Sequence, residues 1–263
     1  MPPNYLPLAI KNTGMSLQEV LPELLRASSP KLSHYLFVCK SYRQLGVGEL
    51  LISNDPEPFY SRLYKSAQAF VHFLKIGDNA EKATSQAYPF FDAVACGAED
   101  VARKIALLCP DTINLRKEYE EDFLYYRILM KAFYLAAPDS EIQDLLDEFE
   151  SYHDQNPDER FELCKALIDK DQESFDEALS ACVQALLDSY GEQKKASRLN
   201  ADEAATLSHV SPEVLAWLLL ARKQGLTVAA EYQLAPSTAQ KLHLAVYPPA
   251  DSWKQIESFT ELS

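Results

Sequence analysis

The chain has little glycine, seven residues in 263. It has no P-loop, dinucleotide fingerprint or nucleophile elbow, and Gly46-Val47-Gly48 alone is too little to cradle a phosphate. Long hydrophobic runs are missing too. The longest, Val214 to Ala221, has eight residues, against the roughly 20 that a membrane helix requires. The opening MPPNYLPLAIKNTG has no basic segment followed by an apolar one, so no secretory signal is expected. Positive charge is in deficit: 25 Lys and Arg against 39 Asp and Glu, a net charge of −14. That balance argues against unassisted binding to nucleic acid or to an anionic membrane, which needs clustered cations. The five cysteines, Cys39, Cys96, Cys109, Cys164 and Cys182, include no CxxC pair and sit in apolar stretches. They read as buried reduced thiols of a cytoplasmic protein. Period-two alternation is almost absent, with at most Leu226 to Tyr232 as a short extended piece.

What is present is helical periodicity. A capping-box spacing, Ser16 to Glu19, predicts a first helix there, with Pro22 in an awkward place. Ser29-Pro30 opens a second, ending at Gly46. Asp55-Pro56 opens a third, closing at Gly77. In the third, Phe59, Leu63, Phe70 and Leu74 share a stripe with Tyr60, Tyr64, Ala67 and Val71. Arg62, Lys65, Gln68, His72 and Lys75 lie opposite. Further helices are expected over Asn79–Cys96 (kinked at Pro89), Ala98–Leu108, Leu115–Ala136, Asp139–Asp154, Pro157–Asp169, Asp171 or Ser174 to Tyr190, and Ser211-Pro212 to Gly225. The expected class is all-α: a single bundle of about ten antiparallel helices with short turns. It forms one domain over 1–263, with sub-lobes 1–136 and 139–263. No residue pattern repeats between helix pairs, so a tetratricopeptide-like array has length alone in its favour.

The acidic excess is concentrated. Asp139 to Glu177 holds 15 Asp and Glu against three Lys and Arg, a net of −12, whereas the other 224 residues are at −2. Such density works against the compact state. It reads either as solvated helix faces or as a surface for a basic partner. The candidate contacts are Asp144, Asp147, Glu148, Glu150, Asp154 and Asp158. Metal spacings fall short. Glu150-Ser151-Tyr152-His153 is a lone ExxH where di-iron bundles need two. Asp169 to Glu173 starts like an EF-hand loop, but Ser174 and Ser180 replace its glycine and its last glutamate. No metal or other cofactor is expected.

The richest constellation is Glu118-Tyr119-Glu120-Glu121-Asp122-Phe123-Leu124-Tyr125-Tyr126. On a helix, Tyr119, Phe123, Tyr126, Met130 and Phe133 share one face, and Glu118, Glu121, Asp122 and Tyr125 another. These four read as first-turn carboxylates and core, as partner contacts, or, least of all, as acid–base catalysts. In the tail, Trp253, Ile256 and Phe259 have a helical spacing that would dock on the core or on a partner.

At these residues the sequence resembles the immunity protein 49 family of bacterial polymorphic-toxin systems. EYEEDFLYYRILMKAFY, after FFDAVACGAEDVARKIALL, is similar to an acidic-aromatic EY-x-DDF-x-Y-x-x-x-L helix. Glu118, Tyr119, Asp122, Phe123, Tyr125 and Leu129 match, while Glu121 departs from the commoner Asp. VLAWLLLARKQGLTV, followed by Pro236, resembles the family's C-terminal helix; its Arg-x-Gly-Leu ending reads here Arg222-Lys223-Gln224-Gly225-Leu226. The resemblance covers about residues 50 to 240. It implies a non-enzymatic antidote that binds, in the cytoplasm, a cognate toxin delivered by type VI or contact-dependent secretion. The toxin would carry a basic surface, as a nuclease does. A helical scaffold or adaptor for another cytosolic protein is the alternative, and an α-helical enzyme with an unfamiliar site the third reading.

Overall fold

In the computed structural model, which describes residues 5–259, 71% of the chain is helical and no strand is formed among the described residues. The eleven helices are α1 (Tyr5–Arg26), α2 (Leu32–Ser53), α3 (Pro56–Ile76), α4 (Tyr88–Ala95), α5 (Glu99–Leu108), α6 (Glu120–Met130), α7 (Asp139–His153), α8 (Glu159–Asp169), α9 (Gln172–Lys195), α10 (Ala201–Ala205) and α11 (Pro212–Gln224). The all-α expectation holds. Residues 1–4 and 260–263 of the expected domain lie outside the described residues.

Helix starts with a side-chain cap follow the sequence closely. Asp55 accepts the Glu57 N–H ahead of α3, Asp171 those of Glu173 and Ser174 ahead of α9, and Ser211 that of Val214 ahead of α11. Pro56 and Pro212 supply first-turn residues that need no N–H partner. Gly225 closes α11 at φ +86°.

The glycines inside helices correct the expected boundaries. α1 begins at Tyr5, not near Ser16, and passes through Gly14 because the Phe259 ring covers that position and leaves no room for a Cβ. α2 continues beyond Gly46 to Ser53. A Cβ on Gly46 would meet Arg62 Cβ at 2.8 Å and the Phe59 carbonyl at 3.1 Å, and one on Gly48 would meet Ile10. These two glycines let α2 lie close to α3 on one side and α1 on the other. α9 likewise runs past Gly191.

Three further expectations need correction. Asn79–Cys96 is not one kinked helix. It is two short 3-10 turns, 79–81 and 84–86, followed by α4, with Pro89 in its first turn. The helix expected from Leu115 starts at Glu120, because residues 114–118 form a turn closed by the Glu118 N–H on the Asn114 carbonyl, 3.0 Å. It ends in a π-helical turn, Lys131–Leu135, stopped by Ala136 at φ 50°. The short α10 was not anticipated.

α3 is central. It packs against α2, α4 and α5, and it buries far more than one stripe: Gln68, expected on the polar side, is buried, and Arg62, Lys65 and His72 are half-buried. α4 lies between α3 and α11. α7 packs on α6 and α8, and α8 on α9. One buried hydrophobic cluster runs from Ile10 to Phe259. The tail takes a 3-10 turn at 252–254 rather than a helix and docks on the first three helices. Trp253 is buried beside Tyr35 and His72, the Tyr42 hydroxyl donates to its carbonyl at 2.5 Å, and Phe259 is buried on Gly14, whereas Ile256 stays exposed. Among the described residues no helix is long and apolar enough to cross a membrane.

The close approach at Gly46 gives a test. Alanine normally gains about 1 kcal/mol over glycine inside a helix. Overpacking against the Phe59 backbone costs about 1–3 kcal/mol. Gly46→Ala should therefore lower stability by a net of up to about 2 kcal/mol, seen as a lower urea midpoint at an unchanged slope. A raised midpoint would show that α2 and α3 part freely.

Candidate functional site

The acidic block is a surface. Thirteen of its fifteen carboxylate residues are exposed; only Glu141 and Asp158 are partly covered. Of the thirteen, Glu150 alone has a Lys or Arg within 4.0 Å among the described residues, Lys165. Asp144, Asp147, Glu148 and Glu150 project from α7, while Ile142, Leu146 and Phe149 bury its other face. Asp154, exposed, ends that helix. Asp158 is different: it caps α8 through the Arg160 N–H at 2.9 Å and holds the Arg160 guanidinium. His153 of the lone ExxH accepts the Asp158 N–H at 2.9 Å, so that spacing is absorbed in the α7–α8 turn.

The acidic-aromatic helix turns inward. The buried Glu118 accepts the Ser85 N–H at 2.7 Å and the Asn114 N–H at 2.8 Å. Tyr125 has no exposure; its hydroxyl donates to Glu213 at 2.8 Å and accepts the Trp217 indole N–H at 2.6 Å. Neither reaches a partner from the folded state. Glu121 is half-buried; burial and its charge push the Tyr152 hydroxyl up. Asp122, also half-buried, accepts Arg160 Nη1 at 2.7 Å. Tyr119, expected in the core, is exposed at the helix start.

Around Tyr125 the structure assembles a polar centre that pattern reading missed. Asp92 on α4 has no exposure and takes two hydrogen bonds from Arg43 on α2, at 2.7 and 2.9 Å, and one from Ser66 on α3, at 2.5 Å. The Arg160 guanidinium stacks 4.9 Å from the Tyr125 ring centre. Glu213, in the first turn of α11, has Tyr125 as its hydrogen-bond donor and no ion pair among the described residues. Burial pushes its carboxyl above the usual glutamate range, and the nearby Asp122 adds to this. The Tyr125 hydrogen bond, Arg160 and Arg43 only partly oppose the shift. A lone acid within the apolar run YPFFDAVA was the one legible signal of this centre.

Two cavities adjoin it and share Tyr88, Leu186 and Glu213. The larger, about 490 Å³, lies between α2, α4, α9 and α11. The smaller, about 240 Å³, opens between α6, the start of α8 and α9. All five cysteines are free and buried, and burial pushes the Cys39 thiol up to about 12, so none is a poised nucleophile.

A raised folded-state carboxyl pKa gives stability present below the unfolded value and lost as pH rises through the folded one. Glu213→Gln mimics the protonated form. It should therefore raise the Tm at pH 7, and the gain should fade as pH falls through the raised folded value and be gone by the ordinary glutamate value of 4.5. Thermal melts of both chains across that range check it; a Tm lowered at pH 7 refutes it.

No curated protein and no solved structure matches the chain. One family model does. Its match, residues 59–239, begins at Phe59 of α3, takes in the polar centre apart from Arg43 and the whole acidic block, and ends beyond α11. That span is most of the chain, and on it the protein belongs to the family described as Immunity protein 49.

Proposed function

We propose that the protein binds and neutralises a cognate secreted antibacterial toxin in the cytoplasm, without catalysis, by covering a basic surface of that toxin. Membership of an immunity family supports the binding of a toxin protein. The observation that carries the mechanism is the exposed acidic face of α7–α9, with thirteen exposed carboxylate residues and almost no opposing cations. Uncompensated like charge opposes folding. A face that retains it gains when a cationic surface meets it.

A nuclease is the toxin class this face fits best, because a cleft that holds phosphates is basic. Long-range attraction then speeds encounter, and shape and burial decide how long the complex lasts. Asp144, Asp147, Glu148, Glu150 and Asp154 are the contact candidates on this reading, with Glu159 and Glu162 of α8 extending the same charge.

The test is the complex with the toxin encoded by the neighbouring reading frame. Replacing Asp144, Asp147, Glu148 and Glu150 together by Lys should slow association at low salt by about 100-fold and flatten its salt dependence. Unchanged affinity at low salt would rule out this face as the interface.

A further inference from the structure

Glu213 stands at the junction of the two cavities. The cations that line the larger one are already matched: Arg43 holds Asp92 with two hydrogen bonds, and Lys40 pairs with Glu203 at 2.6 Å. In the smaller one Arg160 is taken by Asp122 and Asp158, at 2.7 and 2.6 Å. Of the carboxylates that line the larger cavity, Glu213 is the one left without an ion pair among the described residues, beside the rings of Tyr88, Phe91 and Tyr190. Tyr88 is 43% exposed, so the aromatic wall reaches solvent.

The larger cavity is of the size that ligands occupy. An anion would meet Glu213 and be repelled. A neutral apolar group would leave that carboxylate desolvated and unpaired. A cation satisfies it, and aromatic faces attract cations. Between the two biological cations, the guanidinium is planar and weakly hydrated, it stacks on rings, and it meets a carboxylate with two parallel hydrogen bonds. The ammonium is compact and costs more to dehydrate.

We propose that this cavity receives one arginine side chain of the protein partner, with the guanidinium on Glu213 and the stem along Tyr88 and Tyr190. The assignment rests on the reading that the chain binds a protein toxin. It adds a second, enclosed contact to the open charge of α7. The open face loses strength as salt rises, and the contact in the cavity loses much less.

The probe is N-acetyl-arginine methylamide, titrated into the full chain and followed by amide chemical shifts, with the citrulline analogue as its neutral isostere. Saturable shifts confined to residues around Tyr88, Tyr190 and Glu213 are expected, with citrulline at least tenfold weaker. Glu213→Gln should weaken the arginine probe tenfold or more. Tyr88→Leu, a change at an exposed residue, should weaken it severalfold and serves if the first variant misfolds. Absence of saturation, equal binding of citrulline, or full affinity in Glu213→Gln overturns the proposal.

A second arm separates this from the wider reading. The fourfold α7 reversal should leave the arginine probe unaffected even if it abolishes toxin binding. In high salt, Glu213→Gln should weaken the toxin complex about tenfold. If the probe binds but the toxin complex is indifferent to Glu213→Gln, the occupant is a free guanidino compound and not a partner's side chain.

Discussion

The fold turns on one carboxylate that has no access to water. Asp92 sits on a helix of eight residues, too short to persist alone. Arg43 and Ser66 reach it from two longer helices, so a single anion fixes the mutual position of α2, α3 and α4. Removing one member of such a pair is far more damaging than never having had it, because the remaining charge stays buried. α11 rests on α4. Through α11 the same anchor positions Glu213, Trp217 and, by hydrogen bond, Tyr125. The acidic helices are then hung from α6 and α8, outside this frame.

Local chemistry was legible in the sequence wherever an element is closed by its own neighbours. Asp55-Pro56, Asp171, Ser211-Pro212 and Gly225 mark helix ends because a cap is a contact between residues a few positions apart. Gly46 misled because its role is set by Arg62 and Phe59 of the next helix. A glycine that ends a helix and one that admits a neighbouring helix look alike in one dimension.

The same distinction governs the candidate contact residues. The exposed acids of α7 were found because charge density is a local property of the sequence. Glu118 and Tyr125 were placed among possible contacts because their environment is made by Ser85, Asn114, Glu213 and Trp217, from other parts of the chain. Glu213 has no mark in the sequence beyond its place just after Ser211-Pro212. Its significance lies in which cations around it are already engaged, and only the assembled structure shows that.

The tail that lies over the first helices bears on the order of events during synthesis. Tyr42 waits for the carbonyl of residue 253, and Gly14 for the ring of residue 259. Chains grow and begin to fold from the N-terminus. α1, α2 and α3 are therefore made with the surface that residues 253–259 cover still bare. The first three helices therefore reach their final packing only after every other helix has been made.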